Sequence, residues 1–126
     1  MTRQSGTSDH RRLAAETRGR RAETRALLLL LAKGYLPLAR RWRSPVGELD
    51  LIVKRGSTIA FVEVKARADM DSAAHAITPH QQRRLIAASQ AWLALNPAFA
   101  RYTLRFDAVL VVPRRLPRHM PDAFRL

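Results

Sequence analysis

Apolar and polar positions alternate most clearly in two stretches, 48–53 and 58–66, separated by Lys54, Arg55, Gly56 and Ser57. Strand side chains alternate faces with a period of two, so the two stretches read as the arms of a hairpin. One face, Leu49/Leu51/Val53 with Ala60/Val62/Val64, is wholly apolar and reads as core. The other carries Glu48 and Asp50 on the first arm and Ile59, Phe61, Glu63 and Lys65 on the second. Upstream, a helix capped by Ser8 or Asp9, or beginning near Thr17, is expected to run to about Lys33, with Gly34 as its C-terminal stop. Its apolar run from Leu27 to Leu31 is too continuous for a surface helix and is expected to pack under the sheet. Residues 35–43 read as a first strand, which Pro37 confines to an edge or a strand start. Thr78 and Pro79 supply the cap and first position of a second helix ending near Leu95. Its buried face is Leu85, Ile86, Ala88, Ser89, Trp92 and Leu93. Residues 102–112 end in a nearly unbroken apolar run, as in a strand covered on both faces.

The order is therefore α-β-β-β-α-β, an α/β fold with a mixed central sheet in two or three layers. Residues 1–8 read as a disordered start, 9–112 as a single domain, and 113–126 as a basic irregular tail. Residues 68–77, with Asp69, Asp71 and His75, read as a solvated loop beside the hairpin.

Composition narrows the function. The 126 residues suffice for one core. There is no cysteine, which excludes disulfides and thiolate metal sites and suits a reducing compartment, so a cytoplasmic location is expected. The apolar run at 26–32 falls far short of the ~20 residues that cross a bilayer, so no membrane partner is expected. Lys and Arg number 23 against 10 Asp and Glu, a net charge of +13. That balance points to a polyanion: DNA is the expected partner, with RNA an alternative resting on charge alone. The competing explanation is solvated charge in an arginine-rich chain.

The hairpin holds the candidate chemistry. Asp50, Glu63 and Lys65 can meet on one face if its arms pair. Mg²⁺ is usually held by one or two carboxylates and keeps several waters, and a nearby lysine can hold an attacking water or stabilise developing negative charge. A lone Glu-x-Lys would more simply be a salt bridge. The upstream Asp50 shifts the balance, because several charges between Ile, Phe and Val are costly unless paired or bound to metal.

Gly47-Glu48-Leu49-Asp50-Leu51 followed by Phe61-Val62-Glu63-Val64-Lys65-Ala66-Arg67 resembles the core of the YraN-like family of small bacterial proteins. By its motifs that family belongs to the restriction-endonuclease-like (PD-(D/E)XK) nuclease superfamily, and in outline it is similar to Holliday-junction resolvases. The resemblance spans roughly residues 17–112. It implies a restriction-endonuclease-like sandwich of the order given above. The implied activity is that of a metal-dependent endonuclease on DNA, including branched, repair or recombination intermediates. The implied cofactor is Mg²⁺ or Mn²⁺ on Asp50 and Glu63, with Lys65 positioning water or stabilising the transition state. Glu23 looks like a third acid reaching the metal from the first helix, although Ala22 replaces a family glycine; its competing role is a surface partner among arginines. Gln82 matches a Lys-Gln run and is a candidate supporting catalytic contact, while Gln81 stands where the run has lysine. Arg105-Phe106-Asp107 also matches, with Asp107 expected to be structural.

Arg20, Arg21, Arg43, Arg67, Arg83 and Arg84 are the candidate nucleic-acid contacts. Trp42, among Arg40, Arg41 and Arg43, could stack on a base or cap the core. The alternative function is a non-catalytic nucleic-acid-binding module on the same fold. Either a monomer or a homodimer is compatible with these motifs; symmetric cutting of a four-way junction would need two sites.

Overall fold

The computed structural model describes residue 13 and residues 19–69 and 77–125. The expected disordered start, and Asp71 and His75 of the loop, lie outside the described residues. Residues 19–32 are helical and form α1. Three strands follow: β1 (Leu36–Ser44), β2 (Gly47–Arg55) and β3 (Thr58–Ala66). Then come α2 (Pro79–Leu95), a short 3-10 turn at Pro97–Phe99, β4 (Thr103–Val111) and β5 (Arg118–Phe124). Among the described residues, no helix is long and apolar enough to cross a membrane.

The local signals act as chemistry requires. At the end of α1 the Tyr35 N–H reaches the Leu30 carbonyl and the Gly34 N–H the Leu31 carbonyl, with Gly34 at φ 91°. This double closure needs a left-handed residue, which glycine supplies without a Cβ clash. Thr78 caps α2 reciprocally: its side chain accepts from the Gln81 N–H at 3.2 Å, and its own N–H donates to Gln81 Oε1 at 3.1 Å.

The strands form one five-stranded sheet in the order β1-β2-β3-β4-β5. The pairs are antiparallel except β3–β4, which is parallel. A parallel neighbour requires a long crossover, and α2 lies within it. Ala22, Ala26 and Leu30 of α1 pack on Leu51, Val53, Ala60, Val62, Val109 and Val111. Leu85, Ala88 and Trp92 of α2 pack on Ile52, Ile59, Phe61 and Phe106. Alternating positions of one strand thus bury against different helices, and the architecture is α/β/α. Trp42 packs on the α2-side cluster.

Three expectations need correction. The Leu27–Leu31 run is not wholly covered: Leu28 is 60% and Leu31 41% exposed, because helical periodicity turns only the Ala22/Ala26/Leu30 stripe squarely to the sheet. Leu49 leaves the face of Leu51 and Val53 and joins the α2-side cluster. The tail is not irregular, since β5 makes the order α-β-β-β-α-β-β. Long-range contacts hold it there. Phe124 stacks on Phe106 with centroids 4.9 Å apart. His119 Nε2 lies 2.7 Å from Asp107 Oδ2, and the Asp122 N–H donates to Asp107 Oδ1 at 3.0 Å. Pro121 is tolerated because β5 is an edge strand.

Asp107 is the anchor of that tail. It is fully buried and takes two further hydrogen bonds from Arg105, at 2.7 and 2.8 Å. Burial alone would raise its carboxyl, but the bonds from His119, Arg105 and the Asp122 N–H prevail and hold it at about 2. A carboxyl lowered on folding adds stability above its unfolded value, near pH 4, and loses it as pH falls towards 2. Asp107→Asn should therefore cost about 3 kcal/mol or more at pH 6, since it leaves Arg105 and His119 without their anion. In denaturant titrations the gap between parent and variant should narrow by about 2 kcal/mol between pH 5 and pH 2. A gap that does not change with pH would refute this role.

Gly47 sets how closely β2 approaches α2. Its φ is 155°, and a Cβ there would lie 3.0 Å from the Arg84 carbonyl oxygen and 3.4 Å from the Ala88 Cβ. Gly47→Ala is expected to destabilise by about 1–3 kcal/mol by thermal or chemical unfolding, because the obstructing atom is backbone.

Candidate functional site

β2 and β3 pair from Arg55↔Thr58 as far as Leu51↔Val62 and then separate. At the fork the Val64 N–H donates to Asp50 Oδ2 at 2.9 Å, so a side chain takes over a bond otherwise made between strands. Across β1, Arg41 and Asp50 stand between the pairs Arg40↔Leu51 and Trp42↔Leu49. Arg41 has φ 50°, an uncommon conformation for a side-chain-bearing residue. These two residues mark the place where the alternation breaks and Leu49 changes face.

The fork brings Asp50, Glu63 and Lys65 together. Lys65 Nζ lies 3.2 Å from Glu63 Oε1, and both side chains are largely buried, at 13% and 16% exposure. Burial is the main force on the Asp50 carboxyl, with the Glu63 charge next. The Val64 N–H and Lys65 oppose them only in part, and Asp50 is pushed up to about 7. Burial likewise raises Glu63, against the pull of Lys65. Glu23 adds a smaller repulsion to both acids. One lysine thus fails to balance two buried carboxyls.

Two clefts open on this cluster, each about 220 Å³, and Glu48 and Asp50 belong to both. The first lies towards α1 and is lined by Arg20, Glu23, Arg41 and Arg43. The second lies towards the start of α2 and is lined by Glu63, Gln81, Arg84 and Leu85. The cluster sits at the carboxyl end of β3, one of the parallel strands, where open α/β sheets commonly place their sites.

Other candidates fall into distinct positions. Glu23 borders the first cleft but is ion-paired with Arg41. Arg43 pairs with Glu48 at 2.8 Å, an exposed pair of little strength. The Gln82 amide donates to the Ile77 carbonyl at 3.4 Å, and Gln81 lines the cleft in its place. Arg20 and Arg84 stand at opposite mouths, and Arg83 is exposed on α2. Arg21 and Arg67 border a separate cavity on the α1 side. Asp107 lies on the α1 face with Val109, away from Lys65, as expected of a structural residue. Arg41 and Gln81 are additions that residue spacing did not identify. The Arg41–Glu23 pair depends on helix–sheet docking, and in the sequence Gln81 reads only as the residue standing where the family run has lysine.

Among the described residues, no three His, Asp or Glu side chains form a group that could hold a metal unaided. The pair Asp50 and Glu63 nevertheless suits a hard divalent ion that keeps several waters. An added positive charge would relieve the repulsion that pushes both carboxyls up.

A model of the uncharacterised protein family UPF0102 matches residues 22–111. A UPF0102 protein of Rhodopseudomonas palustris (strain BisB5) is 59% identical over 113 residues, covering 90% of this chain and 86% of the relative. A UPF0102 protein of Methylorubrum extorquens (strain PA1) is 58% identical over 116 residues, covering 92% and 91%. The matched span contains the fork, both helices' core faces and the Arg105–Asp107 pair, and on that basis the chain belongs to the uncharacterised protein family UPF0102.

Proposed function

We propose that this protein is a metal-dependent endonuclease acting on DNA, on a fold of the restriction-endonuclease-like kind. The observation that carries the proposal is the buried, under-compensated pair Asp50 and Glu63, with Lys65 3.2 Å from Glu63, in a fork flanked by arginines. Asp50 and Glu63 would hold Mg²⁺ or Mn²⁺, which when bound supplies Lewis-acid stabilisation of phosphoryl charge. Lys65, beside Glu63, would hold a water or meet the developing negative charge. Arg20 and Arg84 are placed to grip the strand on either side of the acids, with Arg43 beside Arg20. DNA is the substrate class, with branched, repair and recombination intermediates among the structures it would include, and a cytoplasmic location goes with it.

A non-catalytic nucleic-acid-binding module is the second reading. It is favoured by the engagement of Glu23 with Arg41, of Glu48 with Arg43 and of Gln82 with Ile77, which leaves Asp50 and Glu63 as the acids at the fork without an arginine partner among the described residues.

Cleavage of labelled duplex, flap, four-way junction and single strand with Mg²⁺ or Mn²⁺ tests the proposal. The parent should cut at least one member, and Asp50→Ala, Glu63→Ala and Lys65→Ala should each lose about 100-fold or more. Undiminished activity in any of these variants would overturn that residue's assignment. A parent that binds but cuts nothing would favour the second reading.

Thermal unfolding gives an independent check. Asp50→Asn keeps an acceptor for the Val64 N–H but removes one repelling charge. Without divalent ions at pH 8 it should stabilise the protein by about 1–3 kcal/mol. Added Mg²⁺ should raise the melting temperature of the parent and not that of the variant. Equal responses would argue against a cation on this pair.

A further inference from the structure

We propose that the cavity on the α1 side, bounded by Arg21, Arg25 and Arg67, binds one unpaired nucleotide of a nucleic-acid strand. The base would rest on the apolar floor and the phosphate on the guanidinium groups. The proposal rests on the reading above only in taking nucleic acid as the ligand; it needs no cleavage.

The cavity measures about 500 Å³, more than twice either acid-lined cleft. That volume falls in the range of ~300–1,000 Å³ usual for sites of small organic ligands. Arg21 and Arg25 come from one side of α1, and Arg67 follows β3. Ala66, Ala68 and Val111 form the apolar floor. The Arg67 N–H donates to the Val111 carbonyl at 3.1 Å, which ties the ends of β3 and β4 together beneath the cavity. The floor is therefore built by backbone bonding between adjacent strands.

Among the described residues, Arg21, Arg25 and Arg67 form no ion pair. Arg25 donates to the Arg115 carbonyl and Arg67 to the Ala66 carbonyl, each through one N–H group of a guanidinium that carries five. Three cations around an apolar surface repel one another, and an anion with an apolar, planar body answers both the charge and the floor. Guanidinium planes also stack on bases. A patch that only gripped phosphates would need no apolar recess.

Position relates the cavity to the fork. Arg20 borders the first acid-lined cleft and Arg21 this cavity; Lys65 belongs to the acid cluster and Ala66 to this floor. A strand lying along the fork would have a neighbouring nucleotide beside the recess. A base stacked and paired in a duplex cannot enter it, so occupation selects an unpaired nucleotide.

The test is fluorescence polarisation with chelator present, so that nothing is cleaved. The probes are a labelled short oligothymidylate and an abasic strand of equal length, at matched salt. The parent should bind the base-bearing strand about tenfold more tightly. Ala68→Trp fills the recess from an exposed position without changing charge; it should abolish that preference and leave binding of the abasic strand unaltered. Arg67→Glu should weaken both. Should Ala68→Trp fail to fold, Arg21→Gln combined with Arg67→Gln is the second variant, and it should reduce the preference. Equal binding of the two strands by the parent, or a preference that survives these substitutions, would overturn the proposal and leave solvated arginines. A concentration-dependent dimer lost in Ala68→Trp would also overturn it, by assigning the recess to a second copy of the chain. Because the assay excludes divalent ions, its result is independent of whether the fork cleaves.

Discussion

The hydrogen bond from the Val64 N–H to Asp50 lets β2 and β3 part without stranding a backbone donor. An opened sheet normally exposes unsatisfied N–H and C=O groups, which are costly when buried. Here one carboxylate oxygen satisfies the donor, and the opening exposes the flanks of Glu63 and Lys65. The same residue therefore ends the ladder and forms part of the acid pair. Arg41 makes the corresponding adjustment on β1 by taking a left-handed conformation beside Asp50. Its side chain then engages Glu23, linking the fork to α1.

Two aspartates show how placement decides electrostatics. Both are shielded from water, which alone would raise either carboxyl. Asp107 receives Arg105, His119 and the Asp122 N–H and ends at about 2. Asp50 receives one N–H, faces a second acid and ends at about 7. The first arrangement is already satisfied and serves to hold β5 on the sheet. The second favours a proton or another cation, which makes it a candidate for chemistry and a poor stabiliser.

Local patterns made much of this legible. The alternation at 58–66, the Thr78-Pro79 start and the Gly34 stop are signals contained in a few neighbouring residues, and each element lies where they indicated. The meeting of Asp50, Glu63 and Lys65 followed from hairpin pairing. What stayed hidden depends on contacts distant along the chain. β5 is an arginine- and proline-containing segment whose order comes from Asp107 and Phe106. The shift of Leu49 across the sheet comes from a local break in two strands at once, which strict period-two reasoning cannot foresee. Gln82 turns to the Ile77 carbonyl, and Gln81 both caps α2 and borders a cleft, a double role that the residue pattern does not reveal.

Charge acquires meaning through the same geometry. A net +13 would attract any polyanion and distinguishes none. The arginines, however, are sorted by the fold. Arg105 is committed to Asp107, Arg41 to Glu23, and Arg55 lies over the Tyr35 ring at 4.4 Å. Arg20 and Arg84 open onto the acids, whereas Arg21, Arg25 and Arg67 gather over an apolar floor. Since Arg20 and Arg21 are adjacent on α1 but serve different recesses, the start of that helix divides the basic surface. On the proposed reading, a nucleic-acid strand following it would pass from the acid fork to the apolar recess. On that reading the two surfaces would serve as successive contacts for one strand, in place of a diffuse positive coat.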